Sequence, residues 1–167
     1  MELLAAIDTR SSAARVGLPG PTPEHLARIL DAAAHAPDHG RLRPWRFIVV
    51  DAGLRDRFAL AAASAKRVRL PSMSEEQFAA ECEKMKNSPT IVVVGCTVRR
   101  EHKVPEIEQV IAAGAAAENL FLAAHDLGYG VMWKTGAAAY DAGVKAAIGL
   151  SAEDHIVAIM HLGTRLK

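Results

Sequence analysis

The stretch that most constrains the fold is residues 90–98, Thr-Ile-Val-Val-Val-Gly-Cys-Thr-Val. It is β-branched and continuously apolar rather than alternating, so it reads as a central strand covered on both faces. Such a strand needs helical layers above and below it. The chain supplies one in residues 106–127, small and apolar on most faces through Ala112, Ala113, Ala115, Ala116, Ala117, Leu120, Ala123 and Ala124. Gly128 is placed to end that helix in a left-handed conformation. Side chains this small allow close packing, centrally or across a subunit interface.

The other elements follow from caps and breakers. Residues 2–9 read as a short helix. Thr22 caps the next one, Pro23 takes its first turn and Glu24 follows. Its apolar stripe is Leu26, Ile29, Leu30 and Ala33, and it ends near His35, because Pro37 forces Ala36 out of the helical region. Phe47–Val50 reads as a short buried strand, after which Asp51 caps a helix running towards Ser64. Residues 65–73, with Lys66, Arg67, Arg69 and Pro71, read as an exposed loop, and a charged helix runs from Ser74 to Lys86. Tyr129–Trp133 reads as a strand, Asp141–Ile148 as a short helix closed by Gly149, and His155–Leu162 as the last strand. The expectation is an α+β or α/β layered fold with about four strands and five or six helices. At 167 residues, residues 1–167 are expected to form a single domain.

Composition excludes several functions. The formal net charge is +1, from 20 Lys+Arg against 19 Asp+Glu, which argues against nucleic-acid or anionic-membrane binding. Aromatics make up only 5%, leaving few platforms for stacking nucleobases. The strongly apolar run Ile91–Val98 is far short of the ~20 residues of a membrane span. Residues 1–8 lack the basic and apolar regions of a secretory signal. Cys82 and Cys96 form no CxxC or zinc pattern and read as reduced thiols, the state expected in the cytoplasm.

Side-chain chemistry is sparse. His35 and His39 have the spacing of two ligands on one helical face, but Pro37 lies between them. The other five His residues have no partner at ligand spacing, so no metal site is expected. There is no GxSxG elbow, no phosphate loop and no GxGxxG fingerprint. Two clusters remain. Arg10-Ser11-Ser12-Ala13-Ala14-Arg15 offers two guanidinium groups and two hydroxyls within six residues, as an anion cradle or as a solvated helix-to-loop junction. Residues 36–47, Ala-Pro-Asp-His-Gly-Arg-Leu-Arg-Pro-Trp-Arg-Phe, form a donor-rich loop that either serves a site or is anchored by Trp45 in the core.

Together these segments resemble the FMN-dependent nitroreductase family, most closely its small, compact subgroup. Arg10-Ser11-Ser12 is similar to the family's Arg-x-Ser signature. Ala36-Pro37-Asp38-His39 followed by Pro44-Trp45-Arg46-Phe47 is similar to its A-P-x-x…P-W-x-F segment. Residues 114–130, from Gly114 through Glu118, Asn119 and His125 to Gly128 and Gly130, resemble its long central helix and glycine cap. Trp133-Lys134-Thr135-Gly136 falls where that subgroup has a flavin-contacting run, and His161-Leu162-Gly163-Thr164 resembles the family's last core strand. The five motifs occur in order and span nearly the whole chain. Ser11 departs from a second Arg common in the subgroup, and Arg41 and Arg43 stand where the wider family prefers Asn and Gln.

The resemblance implies a three-layer α/β/α sandwich with a mostly antiparallel sheet and an FMN at the interface of a homodimer. Arg10, Ser11 and Ser12 would hold the phosphate and ribityl chain, and Arg165, with Lys167, would add basic phosphate contacts in place of a longer family tail. His35 and His39 of the partner would contact the cofactor, and Trp133, Lys134 and Thr135 would line the isoalloxazine. The implied activity is ping-pong transfer from NADH or NADPH through FMN N5 to a small flat acceptor, a nitroaromatic or a quinone. No protein nucleophile is required, because the flavin carries the chemistry. The alternatives are a flavin- or ligand-binding module without turnover and an α+β interaction domain that dimerises through residues 112–124.

Overall fold

The structure, a computed structural model, describes residues 2–166. Its elements in chain order are α1 (Leu3–Thr9), β1 (Val16–Gly17), α2 (Pro23–Ala34), β2 (Trp45–Val49), α3 (Ala52–Arg69), α4 (Glu75–Lys86), β3 (Thr90–Cys96), α5 (Glu106–Asp126), β4 (Gly130–Lys134), α6 (Ala142–Ala147) and β5 (His155–Arg165). Single turns of tighter helix occupy His39–Arg41 and Ala137–Tyr140. All strand pairings are antiparallel. β5 pairs with β1, β3 and β4, and β3 pairs in turn with β2.

The continuous apolar run behaves as its pattern requires. Successive side chains of a strand point to opposite faces, and β3 feeds both. Ile91 and Val93 enter a cluster with Phe58 and Ala62 of α3, Ile156 and Ile159 of β5, and Val144. Val92 and Val94 enter another with Ile29 and Ala33 of α2, Ala117, Leu120 and Phe121 of α5, and Val131 and Met160. The sheet is therefore the middle of three layers, with α3 and α6 on one side and α2 and α5 on the other.

Helix boundaries follow the capping signals. Thr22 Oγ1 accepts from the His25 amide, Asp51 from Leu54, and Asp141 from Val144. Ser74 and Gln77 form a full capping box. The expected loop at 65–73 is largely helix, since α3 continues to Arg69. Tertiary contacts hold that last stretch: Ala65 is buried, Lys66 bonds Glu81 at 2.6 Å, and Arg67 stacks over Phe78 at 3.7 Å. Three cations in the last turn also suit the negative end of the helix dipole. The last strand runs to Arg165, three residues beyond expectation, because its end pairs with β1. By length and composition alone, α5 could cross a bilayer. Here Ala113, Ala116, Ala117, Leu120 and Ala124 are fully buried, the pattern of a core helix.

Candidate active site

Two segments, residues 11–15 and 165–166, meet beside β4. The Ala13 amide donates to the Val131 carbonyl at 2.8 Å, and the Leu166 amide to the Arg15 carbonyl at 3.1 Å. The Arg165 guanidinium donates to the carbonyl of Ser11, to its Oγ at 3.2 Å, and to the carbonyl of Ser12 at 3.4 Å. Ser11, Ser12 and Arg165, drawn from opposite ends of the sequence, thus form one exposed corner. Arg10 stands beside it, its guanidinium over the Phe121 ring at 4.8 Å and 3.6 Å from Glu118. Lys167 lies outside the described residues.

Two cavities lie on the side of the sheet that carries α3 and α4, and the first is lined by sequence neighbours of the corner. The larger, about 450 Å³, is lined by Ala14, Arg15, Val16, Met132, Lys134 and Leu166, with Ala80, Glu83, Lys84, Asn87 and Ser88 opposite. The second, about 360 Å³, is lined by Lys134, Thr135, Gly136, Ala137, Ala138 and Ile159, with Ala62, Lys66, Glu81, Lys84 and Met85 opposite. Lys84 and Lys134 belong to both and stand where the two meet. Burial, followed by the charges of Lys84 and Lys66, holds the Lys134 ammonium below the ordinary lysine value, against the pull of Glu81. The strand alternation separates two expected neighbours. Lys134 lines the cavities, whereas Trp133 packs on the opposite face, against the α2–α5 cluster.

The histidines lie elsewhere on the chain. His35 is the C-terminal cap residue of α2, with Asp31 at 3.8 Å. His39 Nδ1 bonds Glu108 at 2.6 Å, beside a groove of about 250 Å³ that also includes Pro37, Ile111 and Ala115. The loop that follows His39 is backbone-strained: Arg41 and Arg43 adopt φ of 53° and 46°, a region non-glycine residues seldom occupy. The Asp38 carboxylate accepts from the Arg43 amide at 2.6 Å and holds that shape.

Behind the larger cavity, Ser88 Oγ bonds Nδ1 of the fully buried His161 at 2.6 Å. Burial, reinforced by Lys134, Arg55 and Lys84, pushes this imidazole down to about 4. Its Nε2 has no hydrogen-bond partner among the described residues. Cys96 is buried, and its thiol is pushed up to about 11, so it stays protonated at neutral pH. Among the described residues, no group of His, Cys, Asp and Glu could hold a metal ion.

Residues 18–164 match the family model of the nitroreductase family. This chain belongs to the nitroreductase family. Among curated nitroreductase relatives, "Putative NAD(P)H nitroreductase YdjA" of Escherichia coli K12 is 34% identical over 168 residues, covering 98% of this chain and 88% of the relative. A Haemophilus influenzae relative of the same description, without the YdjA designation, is 31% identical over 167 residues, covering 100% and 90%. The nitroreductase-like family protein from Bacillus cereus superposes with a TM-score of 0.83 at 24% identity, covering 100% of this chain and 87% of that one, a likeness of fold. A Desulfovibrio desulfuricans protein solved in complex with FMN superposes with a TM-score of 0.75 at 25% identity, covering 100% and 88%.

Nothing in the charged pattern of residues 74–86 singles out Lys84. Ala80 and Lys84, four residues apart, share one face of α4, and that face lines the larger cavity together with the C-terminal cap residue Asn87.

Proposed function

We propose that this nitroreductase-family chain is a flavoenzyme that holds FMN beside β4 and passes electrons from NADH or NADPH to a small flat acceptor such as a nitroaromatic or a quinone. The observation that carries this reading is that Ser11, Ser12 and Arg165 form one corner whose sequence neighbours Ala14, Arg15 and Leu166 line, with Lys134, the cavity of about 450 Å³. The donor set suits FMN. A phosphate dianion needs guanidinium and hydroxyl donors, and Arg10, Ser11 and Ser12 offer them in one exposed stretch. Among the described residues, Arg10 is held by an aromatic face and a carboxylate at 3.6 Å, so it can exchange that carboxylate for a phosphate.

Bound FMN supplies two-electron exchange between nicotinamide and acceptor. The protein binds, orients and balances charge. Arg165, through its bonds to Ser11 and Ser12, keeps that segment shaped for the phosphate. Lys134 brings a positive charge to balance electron density gained by the ring, and a half-buried cation does this more strongly than a solvated one. Thr135 adds a hydroxyl at the second cavity, and Trp133 stiffens β4 from behind.

The working unit we propose is a cytoplasmic homodimer of single-domain chains, residues 1–167, with FMN at the interface and His35 and His39 contributed across it. Support comes from apolar residues left on the surface: Leu3 and Leu4 of α1 are 67% and 72% exposed, and Ile107 and Ile111 of α5 are 62% and 63% exposed. The test is flavin absorbance and fluorescence quenching on adding FMN, then stopped-flow mixing with NADH and NADPH. Rapid bleaching of bound flavin is expected. A protein that stays colourless overturns the reading, and bound flavin that never bleaches makes the chain a binding module without turnover.

A further inference from the structure

His39 begins a loop that is held from several sides. Its Nδ1 bonds the Glu108 carboxylate at 2.6 Å, across 69 residues of sequence. The Asp38 carboxylate accepts from the Arg43 amide and closes the loop beyond it. Gly40, at φ 73°, packs so closely on residues 97–105 that a Cβ there would lie 3.3 Å from Val104 Cγ2. Residues 99–104 are fixed in turn by Gln109, which is almost fully buried. Its side-chain oxygen accepts from the Arg99 amide at 2.8 Å, and its nitrogen donates to the Arg99 and Val104 carbonyls at 3.1 and 3.0 Å. Two consecutive residues near the start of α5 thus hold this loop, Glu108 directly and Gln109 through Val104.

The partner of His39 decides its tautomer. A carboxylate can only accept, so Nδ1 carries the proton and Nε2 of the neutral ring is bare. His102, which also borders Gly40, has the opposite arrangement: its Nδ1 accepts from the Val104 amide at 3.1 Å, which leaves the proton on Nε2. A bare imidazole nitrogen is a hydrogen-bond acceptor, and the proposed flavin site is short of acceptors. Arg10, Arg165 and Lys134 can only donate, whereas FMN brings donors of its own in its ribityl hydroxyls and ring N3–H. We infer that Glu108 is a positioning residue, which fixes His39 with Nε2 bare as the acceptor for a donor group of FMN. The flavin half of this inference rests on the flavoenzyme reading above, in which His39 reaches the cofactor across the dimer interface.

Two measurements test this. Nitrogen-15 NMR of the apoprotein, with the imidazoles neutral in mildly alkaline buffer, reads the tautomer of each ring. His39 is expected in the Nδ1–H form and His102 in the Nε2–H form, an internal control in the same spectrum. Glu108→Gln keeps a hydrogen-bonding partner that can donate as well as accept, so it should leave His39 a mixture of the two forms. The second measurement is the Kd for FMN by fluorescence quenching. His39 and Glu108 are 62% and 43% exposed, so their substitution spares the fold. Glu108→Ala and Glu108→Gln should each weaken FMN binding by about twofold to tenfold, the range of one neutral hydrogen bond. In a His39→Ala background they should change nothing, because Glu108 acts only through that ring. An Nε2–H form of His39 in the wild type, or a tautomer indifferent to Glu108→Gln, overturns the assignment of Glu108. A loss of affinity that persists without His39 overturns it as well. FMN bound equally by the wild type and both Glu108 variants overturns the flavin role alone. The expected tautomer in a chain that binds no FMN overturns the flavoenzyme reading and leaves the hold of Glu108 on His39 standing.

Discussion

Arg10→Ala is the sharpest probe of the proposed phosphate contact. In the structure the guanidinium is about one-third exposed, lies 3.6 Å from Glu118 and covers the Phe121 ring at 4.8 Å. Without FMN, the loss is therefore small. A partly exposed ion pair contributes up to about 1 kcal/mol, and a cation–π contact at an exposed site about 0.5–1 kcal/mol. A total near 1 kcal/mol lowers the melting temperature by roughly 2–4 °C in a chain of this size. Towards FMN the loss is larger. A charge-assisted hydrogen bond contributes about 1.5–3 kcal/mol, equivalent to a tenfold to roughly hundredfold weaker Kd. Titration with FMN, read by quenching of flavin fluorescence, measures the second quantity, and a thermal melt of the apoprotein measures the first. Glu118→Gln removes the competing carboxylate and should tighten FMN binding a few-fold. An FMN affinity unchanged by Arg10→Ala, in a protein whose melt is also unchanged, would refute the assignment and leave Arg10 as a solvated residue.

Further expectations rest on other parts of the molecule. Gly163→Ala should destabilise by about 1–3 kcal/mol by urea titration, because an added Cβ would sit 2.6 Å from the Gly17 carbonyl oxygen and 2.9 Å from Pro89 Cγ. His161 has an imidazole pKa of about 4 when folded, against about 6.5 when unfolded. The unfolded chain then binds the extra proton first, so stability present above pH 6.5 is lost as pH falls towards 4, by up to about 1.4 kcal/mol per pH unit. His161→Gln should flatten that slope in pH-dependent denaturation, and a slope unchanged by the substitution would count against a buried neutral imidazole. Ile111→Glu should convert the proposed dimer to monomer in light scattering and weaken FMN binding with it; a dimer that persists would move the interface away from α5.

The layer order was legible in the sequence for a specific reason. An uninterrupted β-branched run cannot leave either face wet, so residues 90–98 demanded helices on both sides, and Ile91/Val93 and Val92/Val94 divide between the two clusters accordingly. Caps were equally legible at Thr22 and Asp51, since a side-chain oxygen three residues before an amide is a local device. The end of α3 was not. Lys66, Arg67 and Arg69 beside Pro71 look like loop until Glu81 and Phe78 of α4 are brought against them.

The candidate site divides along the same line. Residues 133–136 stood out only through the family resemblance, whereas the Arg10–Ser12 segment and residues 36–47 could be picked out one by one, because each is a short run of suitable donors. Their arrangement could not. Trp133 and Lys134 are neighbours in sequence, yet the strand sends them to opposite faces. Ser11 and Arg165 are separated by nearly the whole chain, yet the pairing of β1 with β5 brings them into one corner. Sequence by itself determined the layers, the caps and the residue types available for chemistry, which depend on local periodicity and on what each side chain can donate. The tertiary structure alone decided which charges share a cavity, above all Lys84 and Lys134, because proximity between α4 and β4 is set by packing across the sheet and leaves no mark on either segment's own pattern.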